Sequence, residues 1–352
     1  MKPIRVLIVD DSPTVCQLFK KGLSRASGIE VVGVAPNPFV ARDMIVKDPP
    51  DVVTLDIEMP RMDGLTFLRK LMKHFPLPVV VVSTLTKKGG AKAIEALECG
   101  AVEVVEKNMG EDQVNELMLE LVRKVRAAAA AKVRRKAIGT QQKVAKEAGP
   151  RPLANINSAG KTQVLAIGAS TGGTEALRRI FERLPADTPG TLVVQHMPAG
   201  FTAQMANRLN SISAMTVLEA QGGEFVEPGL ALIAPGDQHL ILRKVGNRFQ
   251  VELRGGPRVS RHKPSVDVLF STVAEAAGDK AVGVILTGMG RDGSEGMKKM
   301  HDAGAYTIAQ DEESCVVYGM PREAVERGAV DEVAPLSKIP ERACKALAAV
   351  KV

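Results

Sequence analysis

The chain of 352 residues is longer than a single hydrophobic core usually supports, so we expect two domains of ordinary size. The composition, 45% hydrophobic and 25% charged, is typical of globular proteins, and only 3% aromatic residues argues against platforms that stack single-stranded nucleic acid. No apolar run approaches the roughly 18 residues that span a bilayer, and MKPIRVLIVDDS lacks a signal-peptide cleavage region. We therefore expect a cytoplasmic protein without direct membrane insertion.

The net charge of +7 is concentrated in one segment. Residues 121–161 contain 11 lysines and arginines and a single acidic residue, a local charge of +10 that leaves −3 for the rest of the chain. We interpret this basic segment as a solvated helix end and a linker rather than an anion-binding arm. The four cysteines are scattered without a CxxC pair, which predicts reduced structural thiols rather than a disulfide framework or a zinc site.

Residues 1–125 alternate apolar runs, rich in β-branched residues, with segments of helical length. The runs are IRVLIVD, VVGVA, DVVTLD, PVVVVS and AVEVVE. Five βα units predict a parallel sheet with helices on both faces, because right-handed crossovers place each helix over the sheet. The last helix should begin near Glu111 and continue into VRKVRAAAAAKVRRK, whose residues are strong helix formers. Residues 126–162 are therefore predicted to be a basic helical extension and a flexible linker.

A second α/β series occupies residues 163–352. Its predicted strands include VLAIG, TLVVQH, AVGVILTG and AYTIAQ, with helices such as TEALRRIFERL and SVDVLFSTVAEAA between them. In the middle, LALIAPGDQHLILRKVGNRFQVEL has short strands joined by Pro-Gly and Gly-Asn turn signals. These signals predict an antiparallel hairpin inside or beside a doubly wound, mostly parallel sheet.

Carboxylates follow two of the predicted strands in the first domain. Asp10 and Asp11 come after the first strand, and Asp56 ends the third. Because the carboxyl ends of parallel strands share one edge of the sheet, the three side chains should meet in one crevice, where Mg²⁺ would neutralise them. Asp56 could then attack a phosphoryl group as a carboxylate nucleophile. The plainer alternative is that Asp10 or Asp11 caps a helix and that Asp56 begins a turn.

Four strand ends together carry a family signature. VLIVDDS, TLDIEMPRMDG, VVVVST and the late Lys107 resemble the response-regulator receiver family over residues 1–125, which implies a flavodoxin-like (βα)5 fold. By that resemblance Asp56 is the phosphoacceptor. The resemblance also implies that Mg²⁺ is held by three carboxylates and one backbone carbonyl, those of Asp10, Asp11, Asp56 and Glu58.

The same resemblance implies two residues that sense the phosphoryl group. They are Ser83, which closes the fourth strand and is chosen over its neighbour Thr84, and Lys107, which follows the fifth strand. The sequence departs from the family pattern at Asn108, where Pro is usual, and at Val104, where an aromatic switch residue is usual. Neither departure removes a group needed for phosphoacceptance, but Val104 lacks the ring on which aromatic gating depends.

The second domain opens with a strand and a glycine-rich turn into a helix. The segment GASTGG contains Ser170 and Thr171 and matches G-x-S-x-G, the sharp turn that presents a serine hydroxyl beside helix amides. On this motif alone, a loop that holds a nucleotide phosphate is an equal alternative. His196 ends the strand TLVVQH and Asp292 follows AVGVIL, so both should reach the same sheet edge as Ser170. These residue types suit a nucleophile, a general base and a carboxylate that orients the base.

Three loops, IGASTGG, VVQHMP and ILTGMGRDG, resemble those of the catalytic domain of chemotaxis protein-glutamate methylesterases. The order of domains resembles that family as well. The resemblance implies hydrolysis of γ-glutamyl methyl esters and deamidation of glutamines on methyl-accepting chemotaxis receptors, with no cofactor for the hydrolase chemistry. Ser170 would be the nucleophile, His196 the base and Asp292 its partner, while the Met289 N–H would bind the oxyanion and Thr171 would help position the imidazole.

The family resemblance also implies regulation. A chemotaxis histidine kinase would supply the phosphoryl group, and the unphosphorylated receiver would cover the cleft at Ser170 until phosphorylation of Asp56 releases it. The remaining histidines carry weaker signals. His262, in SRHKPSVDVLF, could line the cleft, although a surface residue near a helix start is the favoured interpretation. Three other histidines lack metal-ligand spacing: His74, His239 and His301.

Two other kinds of function compete with this interpretation. A receiver-controlled transcription factor could use the basic linker as an arm, but it would need a compact helical reader, and residues 163–352 are α/β with little excess charge. We therefore expect no nucleic-acid partner. A nucleotide-binding enzyme could use GASTGG as its phosphate loop, although neither GxGxxG nor GxxxxGK[ST] occurs in the sequence.

Overall fold

The computed structural model describes residues 2–60, 62–84, 86–108, 110, 113–132, 152–156 and 163–350. The chain separates into two compact units, residues 1–143 and 144–352. Most of the predicted linker over 126–162 lies outside the described residues. Within the described residues, no helix has both the length and the apolar character needed to cross a membrane.

The first unit alternates strands and helices along its whole length. In chain order they are β1 (Ile4–Val9), α1 (Pro13–Ser24), β2 (Ile29–Ala35), α2 (Pro38–Lys47), β3 (Val52–Asp56), α3 (Gly64–His74), β4 (Val79–Ser83), α4 (Lys87–Glu98), β5 (Glu103–Glu106) and α5 (Val114–Ala129). The strands pair in parallel in the order β2-β1-β3-β4-β5. This is the flavodoxin-like order, so the predicted fold of this unit is confirmed.

Side-chain caps fix where several of these helices begin. Ser12 precedes α1 and its hydroxyl accepts the Val15 N–H, while Asp63 precedes α3 and accepts the Thr66 N–H at 2.8 Å. Because Ser12 is the N-cap of α1, neither Asp10 nor Asp11 has that role. Both carboxylates therefore remain candidates for the predicted metal site at the end of β1. At the other end of the unit, α5 stops at Ala129, before the VRRK run, which lies outside the described residues.

The second unit is longer and less regular. Its elements are β6 (Val164–Ala169), α6 (Gly173–Phe181), β7 (Gly190–Gln195), α7 (Phe201–Asn210), β8 (Thr216–Glu219), β9 (Leu230–Ile233), β10 (His239–Val245), β11 (Arg248–Arg254), α8 (Val266–Ala277), β12 (Ala281–Ile285), α9 (Ser294–Asp302), β13 (Tyr306–Gln310), α10 (Met320–Glu326), β14 (Glu332–Ala334) and α11 (Ile339–Ala349). Seven strands pair in parallel in the order β14-β13-β12-β6-β7-β9-β8.

The order of these strands determines where a site can form. The chain starts in the middle of the sheet at β6, builds outwards through β7, and later returns to the other side of β6 with β12. At such a switch in strand order the loops beyond neighbouring carboxyl ends diverge and leave a crevice. The ends of β6, β7 and β12 meet there, as the strand predictions for Ser170, His196 and Asp292 require.

The predicted antiparallel hairpin is confirmed, with a different extent. Strands β10 and β11 pair antiparallel as a separate two-stranded sheet, joined at Gly246 and Asn247. The LALI run, β9, instead lies in the parallel sheet between β7 and β8, because the Pro-Gly segment after it leads out of that sheet. Strands β8 and β14 were not predicted, since each is short and lies at an edge with little apolar patterning.

Candidate active site

The predicted carboxylate cluster of the first unit is assembled around a lysine. Carboxylate oxygens of Asp10, Asp11 and Asp56 lie within 4.8 Å of one another. The Lys107 ammonium donates to Asp10 Oδ2 at 2.8 Å and to Asp56 Oδ2 at 2.6 Å. Burial alone would lower the pKa of Lys107, but the hydrogen bonds to Asp10 and Asp56 outweigh it and raise that pKa. For Asp10, burial dominates and raises the pKa despite the ammonium.

The other predicted residues of this pocket differ in their surroundings. The Glu58 N–H donates to Asp56 Oδ1 at 2.9 Å, and the exposed Glu58 side chain accepts the Thr84 hydroxyl at 3.1 Å. Ser83 is fully buried at the end of β4, and its hydroxyl donates to the Gly89 carbonyl at 3.3 Å. The Ser83 hydroxyl is thus engaged with the first turn of α4 in this structure.

In the second unit, Ser170 and His196 leave neighbouring strands side by side. Ala169 pairs with Gln195 at the ends of β6 and β7, and the His196 N–H donates to the Ala169 carbonyl at 3.1 Å. Adjacent strands are about 4.8 Å apart, so residues that follow paired positions are close neighbours. The Gln195 side-chain amide donates to the Ser170 carbonyl at 2.9 Å and joins the two strand ends.

The turn after Ser170 is tight because of a glycine. Gly172 has φ of 77°, and a Cβ there would also lie 2.6 Å from the Cβ of Val316, so only glycine fits. The Gly173 N–H donates back to the Ser170 carbonyl at 2.7 Å, which closes the turn and begins α6. Both Ser170 and His196 are buried.

The imidazole and the predicted carboxylate are hydrogen-bonded. His196 Nε2 lies 2.7 Å from Asp292 Oδ2, and the Asp292 side chain is completely buried. Since Nε2 is engaged with Asp292, Nδ1 is the ring nitrogen that a proton from Ser170 would have to reach. The predicted trio of Ser170, His196 and Asp292 therefore lies at one crevice, and the hydrogen bond between His196 and Asp292 is formed.

Asp292 is also the anchor of a helix start. Its Oδ1 accepts the Ser265 hydroxyl at 2.7 Å and the Asp267 N–H at 3.0 Å, and its Oδ2 accepts the Val266 N–H at 2.9 Å. These donors belong to the N-cap and first turn of α8, where the helix dipole favours negative charge. These hydrogen bonds hold the Asp292 carboxylate in place beside His196.

Asp267 makes the reciprocal contact, because it binds the start of the helix that follows Asp292. Asp267, in the first turn of α8, accepts the Glu295 N–H at 3.1 Å and the Gly296 N–H at 2.9 Å at the start of α9, the helix that follows Asp292. Burial raises the pKa of Asp267, and the negative charge of Asp292 acts in the same direction. Asp292 thus caps α8, the helix that contains Asp267, and Asp267 caps α9, the helix that follows Asp292.

The favoured interpretation of His262 as a surface residue is wrong, and the structure agrees with the alternative that it lines the cleft. Its ring stacks on His196, with centroids 3.7 Å apart and planes 5° from parallel. Its Nδ1 lies 3.8 Å from Asp292 Oδ2. The sequence could not reveal this contact, because it depends on how the loop before α8 folds back over β7.

The glycine-rich loop that contains Met289 passes beside the serine. A Cβ added to Gly288 would lie 2.7 Å from the Ser170 Cβ, which shows how close the loop backbone comes. The Gly288 N–H donates to the Val317 carbonyl at 3.0 Å, and its carbonyl accepts the Met320 N–H at 2.8 Å. The Met289 side chain is 37% exposed at the surface of this loop.

Two residues that sequence reasoning missed support the site: Thr287 holds this loop, and His239 holds the start of α8. The Thr287 hydroxyl donates to the Thr171 carbonyl at 2.9 Å and accepts the Val317 N–H at 3.0 Å. His239 is buried and its Nδ1 accepts the Ser265 N–H at 3.2 Å. A threonine after a strand and a lone histidine are too common to signal such roles. The predicted positioning residue Thr171 is itself buried beside Ser170.

Comparison with known proteins agrees with this geometry. The model of the family described as CheB methylesterase matches residues 165–343, and that of the response regulator receiver domain matches residues 6–119. A protein-glutamate methylesterase/protein-glutamine glutaminase of Anaeromyxobacter dehalogenans (strain 2CP-C) is 56% identical over 336 residues, 96% of this chain and 93% of that protein. The chain belongs to the CheB methylesterase family.

Other members of the CheB family are similar over comparable lengths. A protein-glutamate methylesterase/protein-glutamine glutaminase of Syntrophus aciditrophicus (strain SB) is 53% identical over 96% of this chain and 98% of that protein. Among solved structures, the CheB methylesterase catalytic domain of Thermotoga maritima is 43% identical, with a TM-score of 0.51 over 52% of this chain and 98% of that one. The comparisons favour neither the transcription factor nor the nucleotide-binding enzyme.

Proposed function

We propose that this protein hydrolyses γ-glutamyl methyl esters and deamidates glutamines on methyl-accepting chemotaxis receptors. Its relatives are named protein-glutamate methylesterase/protein-glutamine glutaminase, and the chain covers nearly their whole length. The observation that carries the proposal is the 2.7 Å bond between His196 and a buried Asp292, at the strand end next to Ser170. Both reactions are acyl transfers to water, so one nucleophile and one base serve both.

In this mechanism Ser170 attacks the γ-carbonyl carbon of the substrate. His196 accepts the hydroxyl proton at Nδ1 and then gives it to the departing methoxide oxygen or amide nitrogen, so that methanol or ammonia leaves and Ser170 carries the acyl group. Water, deprotonated by His196, then attacks the acyl carbon. The imidazolium returns that proton to the departing Ser170 oxygen, which releases the γ-carboxyl product and restores the serine. Asp292 stabilises the imidazolium that forms in both halves of the reaction, and the α8 amides hold its carboxylate in position.

The oxyanion of each tetrahedral intermediate needs donors beside Ser170. We assign the Met289 N–H to this role, because the loop backbone at Gly288 approaches the Ser170 side chain closely. The bonds from Gly288 to Val317 and Met320 hold that segment in place before substrate arrives. Thr171 is assigned a positioning role at the same turn, since its buried backbone is tied to Thr287.

The first unit is proposed to act as the switch. Asp56 accepts the phosphoryl group from a chemotaxis histidine kinase, and Lys107 pairs with the transferred oxygens. The donor set fits Mg²⁺, since three carboxylates lie within 4.8 Å, and Asp10, Asp11, Asp56 and the Glu58 carbonyl would hold the ion. When bound, the ion offsets negative charge on the incoming phosphoryl group.

Ser83 is proposed to respond to the phosphoryl group. In this structure its hydroxyl lies 3.4 Å from the Thr84 carbonyl and 3.3 Å from the Gly89 carbonyl, so donation to a phosphoryl oxygen requires it to leave these acceptors. Loss of the hydrogen bond from Ser83 to Gly89 would loosen the first turn of α4. Phosphorylation of Asp56 would in this way change the conformation of that helix. Neither Val104 nor any aromatic ring is needed for this step.

The test is methanol release from methylated receptor membranes, together with mass spectrometry of receptor glutamines. Ser170→Ala is expected to lower methanol release by roughly 10⁴-fold or more, because the covalent route is lost. Ser211→Ala is the matched control, since Ser211 is an exposed residue directly after α7 whose hydroxyl donates to the Arg208 carbonyl of that helix. Full activity of Ser170→Ala would sink the proposal.

The switch is tested in the same assay with a small phosphodonor and Mg²⁺. Wild-type hydrolysis should rise when both are added, and chelation of Mg²⁺ should abolish the rise. Asp56→Asn should hydrolyse without responding to the phosphodonor, because the amide cannot form an acyl phosphate. If that variant still responded, the assignment of Asp56 would fail while that of Ser170 would stand.

A further inference from the structure

A second histidine lies against the proposed general base. The rings of His196 and His262 are parallel to within 5° at a centroid distance of 3.7 Å. The His262 side chain is only 13% exposed, and its Nδ1 lies 3.8 Å from Asp292 Oδ2, the oxygen bonded to His196. His262 therefore contacts both the base and the carboxylate that orients it.

A turn with unusual backbone angles delivers His262 to this place. Val259 and His262 exchange two backbone hydrogen bonds, at 3.0 and 2.9 Å, around the central residues Ser260 and Arg261. Their φ angles are 50° and 70°, both in the left-handed region, as in a type I′ turn. Neither residue is glycine, so the backbone is strained, and such strain persists where the surroundings impose it, often at functional sites.

The surroundings that impose this turn also hold the catalytic carboxylate. The Ser260 hydroxyl donates to Asp267 Oδ2 at 2.8 Å, while Asp267 Oδ1 caps α9 just beyond Asp292. Asp292 in turn caps α8, the helix that carries Asp267. The turn that precedes His262 and the loop that contains Asp292 are thus both hydrogen-bonded to the first turn of α8, and Asp267 links that turn to the start of α9.

The imidazole of His196 needs such support. Its hydrogen bond to Asp292 fixes one ring atom, but rotation about the bond to the ring is soft in histidine, so the ring plane would otherwise vary. The stacked face of His262 removes that freedom. A shared metal ion is a poorer explanation for two imidazoles and a carboxylate, because parallel rings direct their nitrogen lone pairs side by side rather than toward one point.

We propose that His262 is a positioning residue for the hydrolysis, holding the plane of the His196 ring by stacking so that Nδ1 faces Ser170. The inference rests on the proposed roles of Ser170 and His196. Stacking requires a flat ring and not a titratable one. This distinguishes His262 from a second base or a group that binds substrate.

The experiment compares two variants of the full chain on methylated receptor membranes. His262→Ala is expected to lower kcat for methanol release by roughly 2- to 13-fold with KM unchanged, the range expected when one aromatic pair is lost. His262→Phe keeps a flat ring without nitrogens and should restore kcat to within about twofold of wild type. Rates are normalised to active sites counted with a serine-directed fluorophosphonate, so unfolded protein does not contribute.

Several results would overturn the proposal. Wild-type kcat in His262→Ala would show that the stack is dispensable, and a Phe variant as slow as the Ala variant would assign the effect to the ring nitrogens. A rise in KM at unchanged kcat would indicate substrate binding instead. If His262→Ala does not fold, His262→Leu, which keeps the volume without a flat ring, takes its place with the same expectation. Ser170→Ala is assayed alongside, since activity there would sink the proposed function itself.

Discussion

Asp56 and Asp292 lie at the carboxyl edges of two different parallel sheets, and they differ in the hydrogen-bond donors that surround them. Asp56 ends β3 in the first unit, and one of its oxygens is paired with the Lys107 ammonium, a mobile point charge. Asp292 follows β12 in the second unit, and its oxygens accept two helix amides, a hydroxyl and an imidazole. A carboxylate bound by fixed neutral donors is suited to orient a base, whereas one bound by a cation is suited to exchange that partner for a phosphoryl group.

The largest effect should come from neutralising the aspartate that orients the base. Asp292→Asn is expected to lower kcat for methanol release by about 10⁴-fold, because the amide no longer stabilises the imidazolium and favours the wrong tautomer. Asp267→Asn is the matched control, since Asp267 makes the reciprocal cap but is not bonded to His196. Its kcat should stay within about tenfold of wild type, the size of one lost hydrogen bond. Equal losses in the two variants would mean that Asp292 acts only as a cap.

The next largest effect is expected from removing the Lys107 ammonium, which lies in the carboxylate pocket of the first unit. Lys107→Met should reduce phosphoryl incorporation from a small phosphodonor by about 10²-fold, because one preorganised charge opposite the transferred oxygens is lost. Its hydrolysis without phosphodonor should persist. Lys47→Met, an exposed lysine at the end of α2, serves as the control and should incorporate phosphoryl groups as wild type does. Normal incorporation in Lys107→Met would contradict the role of the ammonium.

Two serine N-caps, one in each unit, allow a further comparison between a cap that contacts Asp292 and one that does not. Ser265 caps α8 and also donates to Asp292, whereas Ser12 caps α1 in the first unit. Each change to Ala should lower the unfolding free energy of its own unit by about 1 kcal/mol, measured by urea denaturation. Only Ser265→Ala should also lower kcat, by roughly 2- to 13-fold, because Asp292 loses a donor. A similar loss of kcat in Ser12→Ala would point to a general effect of destabilisation.

The smallest effect concerns a charge cluster on α6, the helix after Ser170. Burial would raise the pKa of Glu175, but the bonds from Arg178 and Arg179 outweigh it and lower that pKa below its usual value. A carboxyl with a lowered folded-state pKa stabilises the fold above the unfolded pKa, near 4.5, and this stabilisation is lost as pH falls through the folded value. Glu175→Gln should therefore cost about 0.5–1 kcal/mol at pH 7 and progressively less in acid.

Urea denaturation of wild type and variant across pH 3 to 7 measures this difference. Glu341→Gln removes the partner of Lys338 in an exposed pair on α11 and should change stability by less than about 0.5 kcal/mol at any pH. A Glu175→Gln deficit that stays constant down to pH 3 would show that packing, not charge, is responsible.

Much of the fold was predictable because periodic apolar runs mark buried parallel strands. All five strands of the first unit were predicted, and so were β6, β7, β12 and β13. The short edge strands β8 and β14 were not, since an edge strand buries little and needs little apolar pattern. The placement of LALI in the parallel sheet was also beyond prediction, because a four-residue apolar run is compatible with either pairing.

The position of each buried strand along the chain follows from its local apolar run, so the sequence was enough to place Asp56, Ser170, His196 and Asp292 at or just beyond strand ends. Parallel strands share one carboxyl edge, and these placements therefore needed no knowledge of distant contacts. The order of the strands in each sheet and the partners of each side chain depend on the folded structure. The stack of His262 on His196, the capping of α8 by Asp292 and the bond from Ser83 to Gly89 join segments that are separate in the sequence or turn through loops. Their geometry is set by packing, which no periodicity encodes.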